Sequence, residues 1–270
     1  MCEINGKTKL FCLLGSPVEH SRSPFIYNSA FSKMHLNYKY MAFDVKENDL
    51  PSILNAFKKM GVLGCNLTMP LKKIVFPYLD EMSNETLMIK AANTIIFKAN
   101  KIYGDTTDGK GFLKALLKND FNYDNKIFTI LGCGGAGSSI VAALSQTSAK
   151  EINIVVRKEH NYLKELLKRI KNNSSIPINL YMMNDLSLSI KKSDILVNTT
   201  YVGMKENDNL LVSPKDLRKD LFVADIIYNP LETKLLSEAK KVGAKTMNGL
   251  DMLHYQAVLS FKIFTGKTLE

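Results

Sequence analysis

The chain has 270 residues, 46% of them hydrophobic and 23% charged, with a formal net charge of +10. That composition excludes a disordered or disulfide-dense chain and leaves room for one large or two modest domains, two being the expectation. No apolar run approaches the ~20 residues a membrane span needs, and the first fifteen residues lack a signal peptide's pattern, so a cytoplasmic protein is expected.

In chain order, KLFCLLG (Lys9–Gly15) is an apolar run closed by glycine, and Tyr27, Ala30, Phe31 and Met34 then recur at helical spacing. The alternation continues with a strand over residues 38–45, a helix carrying Ile53, Phe57 and Met60, and a strand over 63–69. Alternating strands and helices define a largely parallel sheet. NTIIFKA and IYGD flank an Asn-Lys dipeptide, Asn100-Lys101, which predicts a hairpin that adds antiparallel strands to this sheet. A helix is expected over 108–120, followed by a polar connection and the strand IFTIL (Ile127–Leu131). Beyond it come a helix over 139–144, a strand over 151–157, a helix with Leu163, Leu166, Leu167 and Ile170, and strands within NLYMM, DILVNTT and LFVADIIY. Five or six parallel strands are thereby expected in the second half. The last helix carries Leu253, Ala257, Phe261 and Phe264 on one face.

Cys2, Cys12, Cys65 and Cys133 are widely spaced and form no Cys-x-x-Cys pair, so reduced thiols are expected and no metal site is read. The lysines are spread over helix faces rather than gathered in a block with aromatics between them, which argues against a nucleic-acid partner. A basic surface also attracts small anions.

Directly after IFTIL stands GCGGAG, residues 132–137, a Gly-x-Gly-x-x-Gly run between an expected strand and an expected helix. Gly132 is read as permitting the turn, Gly134 as letting backbone approach a pyrophosphate, and Gly137 as allowing close helix-to-strand packing. At the end of the next strand an NAD site usually places an acidic residue, whereas this chain has Val156, Arg157 and Lys158. Arginine meets a phosphate through two parallel donors, and Lys158 adds a second positive charge, so NADP(H) is favoured.

Four polar clusters end elements of the first half: HSRSP, NLTMPLK, AANT and DTTDGKG. Ligands in open α/β sheets gather at the carboxyl ends of strands. Ser21 and Ser23 precede a helix start marked by Pro24 and can cap that helix or hold an anion. Asn66 and Thr68 alternate with Leu67 and Met69, so on a strand they share a face. Lys72 and Asp108 are the candidate proton-handling pair, since a carboxylate can orient an amine and share its proton.

The order of these motifs resembles the shikimate dehydrogenase family from about Lys9 to Gly266. The resemblance is carried by GSPVEHSRSPFIYN, GCNLTMPLK, AANT, TDGKG, the glycine loop, NTTYVGM, DIIYNPLETKLL and GLDMLHYQA. It implies NADPH-dependent reduction of 3-dehydroshikimate to shikimate in aromatic amino-acid synthesis. The implied fold is α/β with two domains, a substrate domain with a mostly parallel mixed sheet and a Rossmann NADP-binding domain. The expected limits are 1–108 for the first, with a C-terminal helix over 250–270 returning to it and bringing Gln256 into the cleft, and 109–249 for the second.

By the same resemblance Lys72 and Asp108 are catalytic, and Ser21 and Ser23 hold the substrate carboxylate. Asn66, Thr68, Asn93 and Gln256 bond ring oxygens or carboxylate, and Tyr228 completes the pocket. Gly132, Cys133, Gly134, Gly135, Ala136, Arg157, Lys158, Ile226 and Gly249 are expected at the cofactor. The partner is a small molecule, and the protein a monomer or homodimer. Three positions depart from the family: Val156-Arg157-Lys158 stands for Asn-Arg-Thr, Thr106 for Asn, and Phe264 for the usual late Trp. An enzyme that also oxidises quinate, or that uses NAD, is the nearest alternative, and a non-catalytic NADP(H)-binding regulator is another.

Overall fold

A computed structural model describes residues 3–269, and Cys2 lies outside them. The chain forms an α/β fold, as expected, and divides into two compact units, Met1–Thr107 together with Gln256–Glu270, and Asp108–Tyr255.

In the first unit the strands are β1 (Lys9–Gly15), β2 (Tyr38–Asp44), β3 (Gly64–Leu67), β4 (Glu81–Met82), β5 (Thr94–Lys98) and β6 (Lys101–Asp105). Its helices are α1 (Ser23–Lys33), α2 (Leu50–Met60), α3 (Leu71–Ile74) and α4 (Asn84–Ile89). The sheet order is β2-β1-β3-β5-β6-β4, with β1 parallel to both β2 and β3, and β5 antiparallel to both β3 and β6. Residues on β1 alternate between two cores. Cys12 and Leu14 join Leu50, Leu54, Cys65 and Leu67 on one face, while Phe11 and Leu13 join Tyr27, Phe31, Tyr40, Ala257 and Phe261 on the other. Phe264 stacks on Phe11 at 4.7 Å, and a Cβ on Gly64 would stand 3.1 Å from its ring, so this phenylalanine fills the space without the bulk of an indole.

Several element limits differ from expectation. The hairpin turn is Ala99-Asn100, both at positive φ (48° and 61°), and Lys101 already pairs with Lys98. A two-residue turn of this hand matches the twist of the strands it joins. Strand β3 stops at Leu67, so Thr68 and Met69 lie just past it, ahead of Pro70, which offers no backbone donor. β4 carries no apolar alternation and was not foreseen.

The second unit holds α5 (Asp108–Lys118), β7 (Ile127–Leu131), α6 (Gly135–Leu144), β8 (Glu151–Val156), α7 (Asn161–Lys171), β9 (Ile178–Met182), α8 (Leu186–Lys191), β10 (Ile195–Asn198), β11 (Phe222–Asp225), α9 (Lys234–Lys241) and β12 (Thr246–Met247). α10 (Leu250–Thr265) begins in this unit and ends in the first. Among the described residues the sheet has six strands, all parallel, in the order β12-β11-β10-β7-β8-β9. That is the doubly wound order, whose direction reverses between β7 and β10. α6 begins at Gly135, four residues before the expected start, so its first turn is made of the loop's own glycines. The two residues of β12 are too few to show periodicity.

α5 and α6 pack with almost no side chain between them. A Cβ on Gly109 would lie 2.1 Å from the Ser139 carbonyl oxygen, and the Gly109 N–H donates to Ser139 Oγ at 2.9 Å. Any larger residue at 109 would push the helices apart.

Candidate active site

In the second unit the glycine loop leaves the end of β7, at the point where strand order reverses. Gly132 has φ +84°, a conformation that side chains rarely adopt, and a Cβ there would meet Thr200 Cγ2 at 2.9 Å. At Gly137 a Cβ would stand 2.5 Å from Thr199 Oγ1, so this glycine lets the first turn of α6 press against the segment that follows β10. Thr199 locks the contact, its hydroxyl donating to the carbonyls of Leu131 (2.8 Å) and Gly132 (3.2 Å). At Gly134 a Cβ would meet nothing within 4 Å. Packing therefore explains two of the three glycines, and the third is open to an approaching ligand. No side-chain hydrogen bond caps the α6 N-terminus at Gly134, so its first N–H groups suit an anion. Gly135 and Ala136 are half-buried there, whereas Cys133 is buried.

Arg157 and Lys158 follow directly on β8, and both are exposed. Ile226 and Gly249 meet within this unit. Gly249 N–H donates to the Ile227 carbonyl at 2.9 Å, and a Cβ on Gly249 would fall 2.0 Å from the Ile226 carbonyl oxygen. The segment after β11 is held by Asp225, fully buried, which accepts from Asn198 Nδ2 (3.2 Å), Ile227 N–H (3.0 Å) and Thr233 Oγ1 (2.8 Å). Burial raises the pKa of this carboxyl, while its three donors oppose the shift. Tyr228 lies three residues further along, half-buried.

The first unit carries a different kind of site, made of side chains. Asn66 on β3 and Thr94 on β5 are register partners. Asn66 Nδ2 lies 3.2 Å from the Asn93 carbonyl, 3.1 Å from Thr94 Oγ1 and 3.2 Å from Ser260 Oγ of α10. Asn93 Nδ2 donates to Thr107 Oγ1 (2.9 Å) and Gln256 Oε1 (3.4 Å), and its Oδ1 accepts the Thr107 N–H at 2.9 Å. Ser260 Oγ is also 2.8 Å from Thr94 Oγ1 and 3.0 Å from Thr107 Oγ1. Groups from four separated segments thus satisfy one another in a place where an unpaired polar atom would cost about 1–3 kcal/mol.

Thr68 is half-buried beside this cluster's strand, its N–H donating to Leu14 carbonyl at 2.9 Å. Its methyl group passes so close to β1 that a Cβ on Gly15 would lie 2.2 Å from Thr68 Cγ2. Ser21 Oγ accepts from the Ser23 N–H at 3.2 Å at the start of α1, and Ser23 is buried. Lys72, half-buried on α3, is tied to the cluster through the backbone, because its carbonyl accepts the Ala92 N–H at 2.8 Å one residue before Asn93. Asp108, buried, opens α5 as the first residue of the second unit.

Thr94, Thr107, Ser260 and Tyr40 belong to this network and were not foreseen. Thr107 sits inside TDGKG, which contained the signal. Ser260 is four residues after Gln256, so helical spacing could have placed it on the same face. Tyr40 reads as an ordinary apolar strand position.

The fold and these two sites define a Rossmann-type α/β protein whose other unit carries a buried polar side-chain cluster. A family model described as the shikimate dehydrogenase substrate binding domain matches residues 13–95. The curated shikimate dehydrogenase (NADP(+)) of Alkaliphilus metalliredigens is 39% identical over 99% of this chain and 95% of its own length. Shikimate 5-dehydrogenase of Listeria monocytogenes, solved with shikimate and NAD, shares the fold at TM-score 0.92 and 34% identity, covering 100% of this chain and 96% of that one. The shikimate 5-dehydrogenase of Thermus thermophilus, solved with NADP(H) and shikimate, gives TM-score 0.87 at 29% identity over 97% and 95% of the two chains. The chain belongs to the shikimate dehydrogenase family. Among the described residues no helix is long and apolar enough to cross a membrane.

Proposed function

We propose that this protein catalyses the reversible NADP(H)-dependent reduction of 3-dehydroshikimate to shikimate, as a cytoplasmic monomer or homodimer acting on small molecules rather than nucleic acid. One observation carries the reading: Asn66, Asn93 and Gln256, scattered over the chain, meet in a single hydrogen-bonded cluster. Such a cluster can exchange its internal bonds for those of a polyhydroxylated ring carrying a carboxylate.

When bound, NADPH supplies a hydride to the substrate's carbonyl carbon. Gly132, Cys133, Gly134, Gly135 and Ala136 hold the pyrophosphate at the α6 N-terminus, Arg157 and Lys158 hold the 2′-phosphate, and Ile226 and Gly249 contact the cofactor. Ser21 and Ser23 donate to the carboxylate, while Asn66, Thr68, Asn93, Gln256 and Tyr228 bond or enclose the ring. As negative charge grows on the carbonyl oxygen, Lys72 and Asp108 supply its proton. A protonated amine is a far stronger acid than an alcohol, so this transfer runs downhill. In the oxidative direction the same pair takes up the hydroxyl proton.

The test follows reduced-cofactor absorbance with shikimate or quinate, each with NADP+ and with NAD+. Activity confined to shikimate with NADP+ is expected. Quinate turnover or indifference to the 2′-phosphate replaces the reading with a dual-substrate enzyme, and NADPH binding without any turnover replaces it with a regulator.

A further inference from the structure

Tyr40 is fully buried on β2, with its ring stacked on Tyr27 at 4.3 Å and an interplanar angle of 7°. β1 lies between β2 and β3, and on it Tyr40 pairs with Phe11 and Asn66 with Leu13, so the two residues stand two strand spacings apart and two residues out of register, about 12 Å at the usual separations. The phenol spans that distance and donates to Asn66 Oδ1 at 2.8 Å. One buried hydroxyl on a neighbouring element thereby fixes a residue assigned to the ring of the substrate.

The backbone beneath it is anchored with equal care. Asn28 Nδ2 donates to the Tyr40 carbonyl at 2.8 Å and Asn28 Oδ1 accepts the Tyr40 N–H at 2.9 Å, so an α1 side chain takes the place of a neighbouring strand at this residue. The phenol stays protonated, and so remains a donor, throughout the neutral range, because burial and the neighbouring Tyr27, Cys12 and Cys65 push its pKa well above the usual tyrosine value.

We propose that Tyr40 is a positioning residue for the substrate, holding the Asn66 carboxamide in one fixed orientation. The proposal rests on the reading of Asn66 as a substrate contact. With Oδ1 held by the phenol and Nδ2 directed to the Asn93 carbonyl, the Asn66 amide has one orientation and offers the substrate its remaining Oδ1 lone pair and an exchangeable Nδ2 proton. Without the phenol hydroxyl the amide is free to rock, and every substrate hydrogen bond it makes must first order it.

The experiment compares wild type with Tyr40→Phe, Asn66→Ala and the double variant, reading KM for shikimate, KM for NADP+, kcat and Tm. Phenylalanine keeps the stack on Tyr27 and leaves no cavity, so the variant folds, and Tm reports any packing effect separately. The expected result for Tyr40→Phe is a rise of about five- to tenfold in KM for shikimate, the worth of one buried neutral hydrogen bond, with KM for NADP+ unchanged. In the Asn66→Ala background the same substitution should have at most about half of that effect on a logarithmic scale, because contacting residues that act through one another are not additive. An unchanged KM for shikimate in Tyr40→Phe, or an equal effect in both backgrounds, overturns the positioning role while the substrate reading stands. If Asn66→Ala itself leaves KM for shikimate unaltered, or wild type does not turn over shikimate, the reading of the site fails and the proposal with it.

Discussion

The two candidate sites are built from opposite materials. In the first unit the work falls to side chains, with amides and hydroxyls from Asn66, Asn93, Thr94, Thr107, Gln256 and Ser260 meeting at hydrogen-bond distance. In the second unit it falls to backbone, and the side chains matter through their absence at Gly132, Gly134 and Gly137. A side-chain site can be dismantled one bond at a time. A backbone site fails when something is added, and the size of the failure depends on what the added atom strikes.

The largest expected effect breaks the chemistry alone. Lys72→Ala should lower kcat by about 10²- to 10⁴-fold with KM for shikimate little changed, because proton transfer acts in the transition state, and a change confined to KM would remove Lys72 from that role.

Next comes cofactor recognition. Arg157→Ala should weaken NADPH about 10- to 100-fold, the loss of charge-assisted bonds, while NADH is barely affected. Isothermal titration with both cofactors decides this, and equal losses would take Arg157 off the 2′-phosphate.

A pair of alanine substitutions sharpens the contrast between the sites. Gly137→Ala drives a methyl group into Thr199 Oγ1, 2.5 Å away, and should lower stability by about 1–3 kcal/mol together with NADPH affinity. Gly134→Ala meets no atom of the protein within 4 Å, so stability should hold within about 0.5 kcal/mol of wild type while NADPH affinity falls. Thermal melts with and without NADPH measure both quantities. Unimpaired NADPH binding by Gly134→Ala would place the pyrophosphate elsewhere.

Adjacency along the chain governs how much of this was legible. The glycine loop is six consecutive residues between a strand and a helix, so its place, the turn at Gly132 and the close packing at Gly137 could be read locally. Even there α6 begins at Gly135 rather than 139, because helical propensity counts against glycine and the packing of Gly137 on Thr199 outweighs it. The side-chain cluster is dispersed from Tyr40 to Ser260. Its amides drew notice as polar residues at strand ends, but Tyr40 and Ser260 look like a core aromatic and a helix serine.

The sequence by itself determined the alternation of strands and helices, the Rossmann-type half, the glycine loop, the basic pair after β8 and the family, since each depends on near neighbours or ordered motifs. Only the tertiary structure decided the strand order β2-β1-β3-β5-β6-β4 and the bond from Tyr40 across β1 to Asn66. It alone also showed Ser260 beside Thr94 and the collision that makes Gly137 obligatory. Those features join residues as many as 166 positions apart, and no local preference encodes which buried polar group will satisfy which.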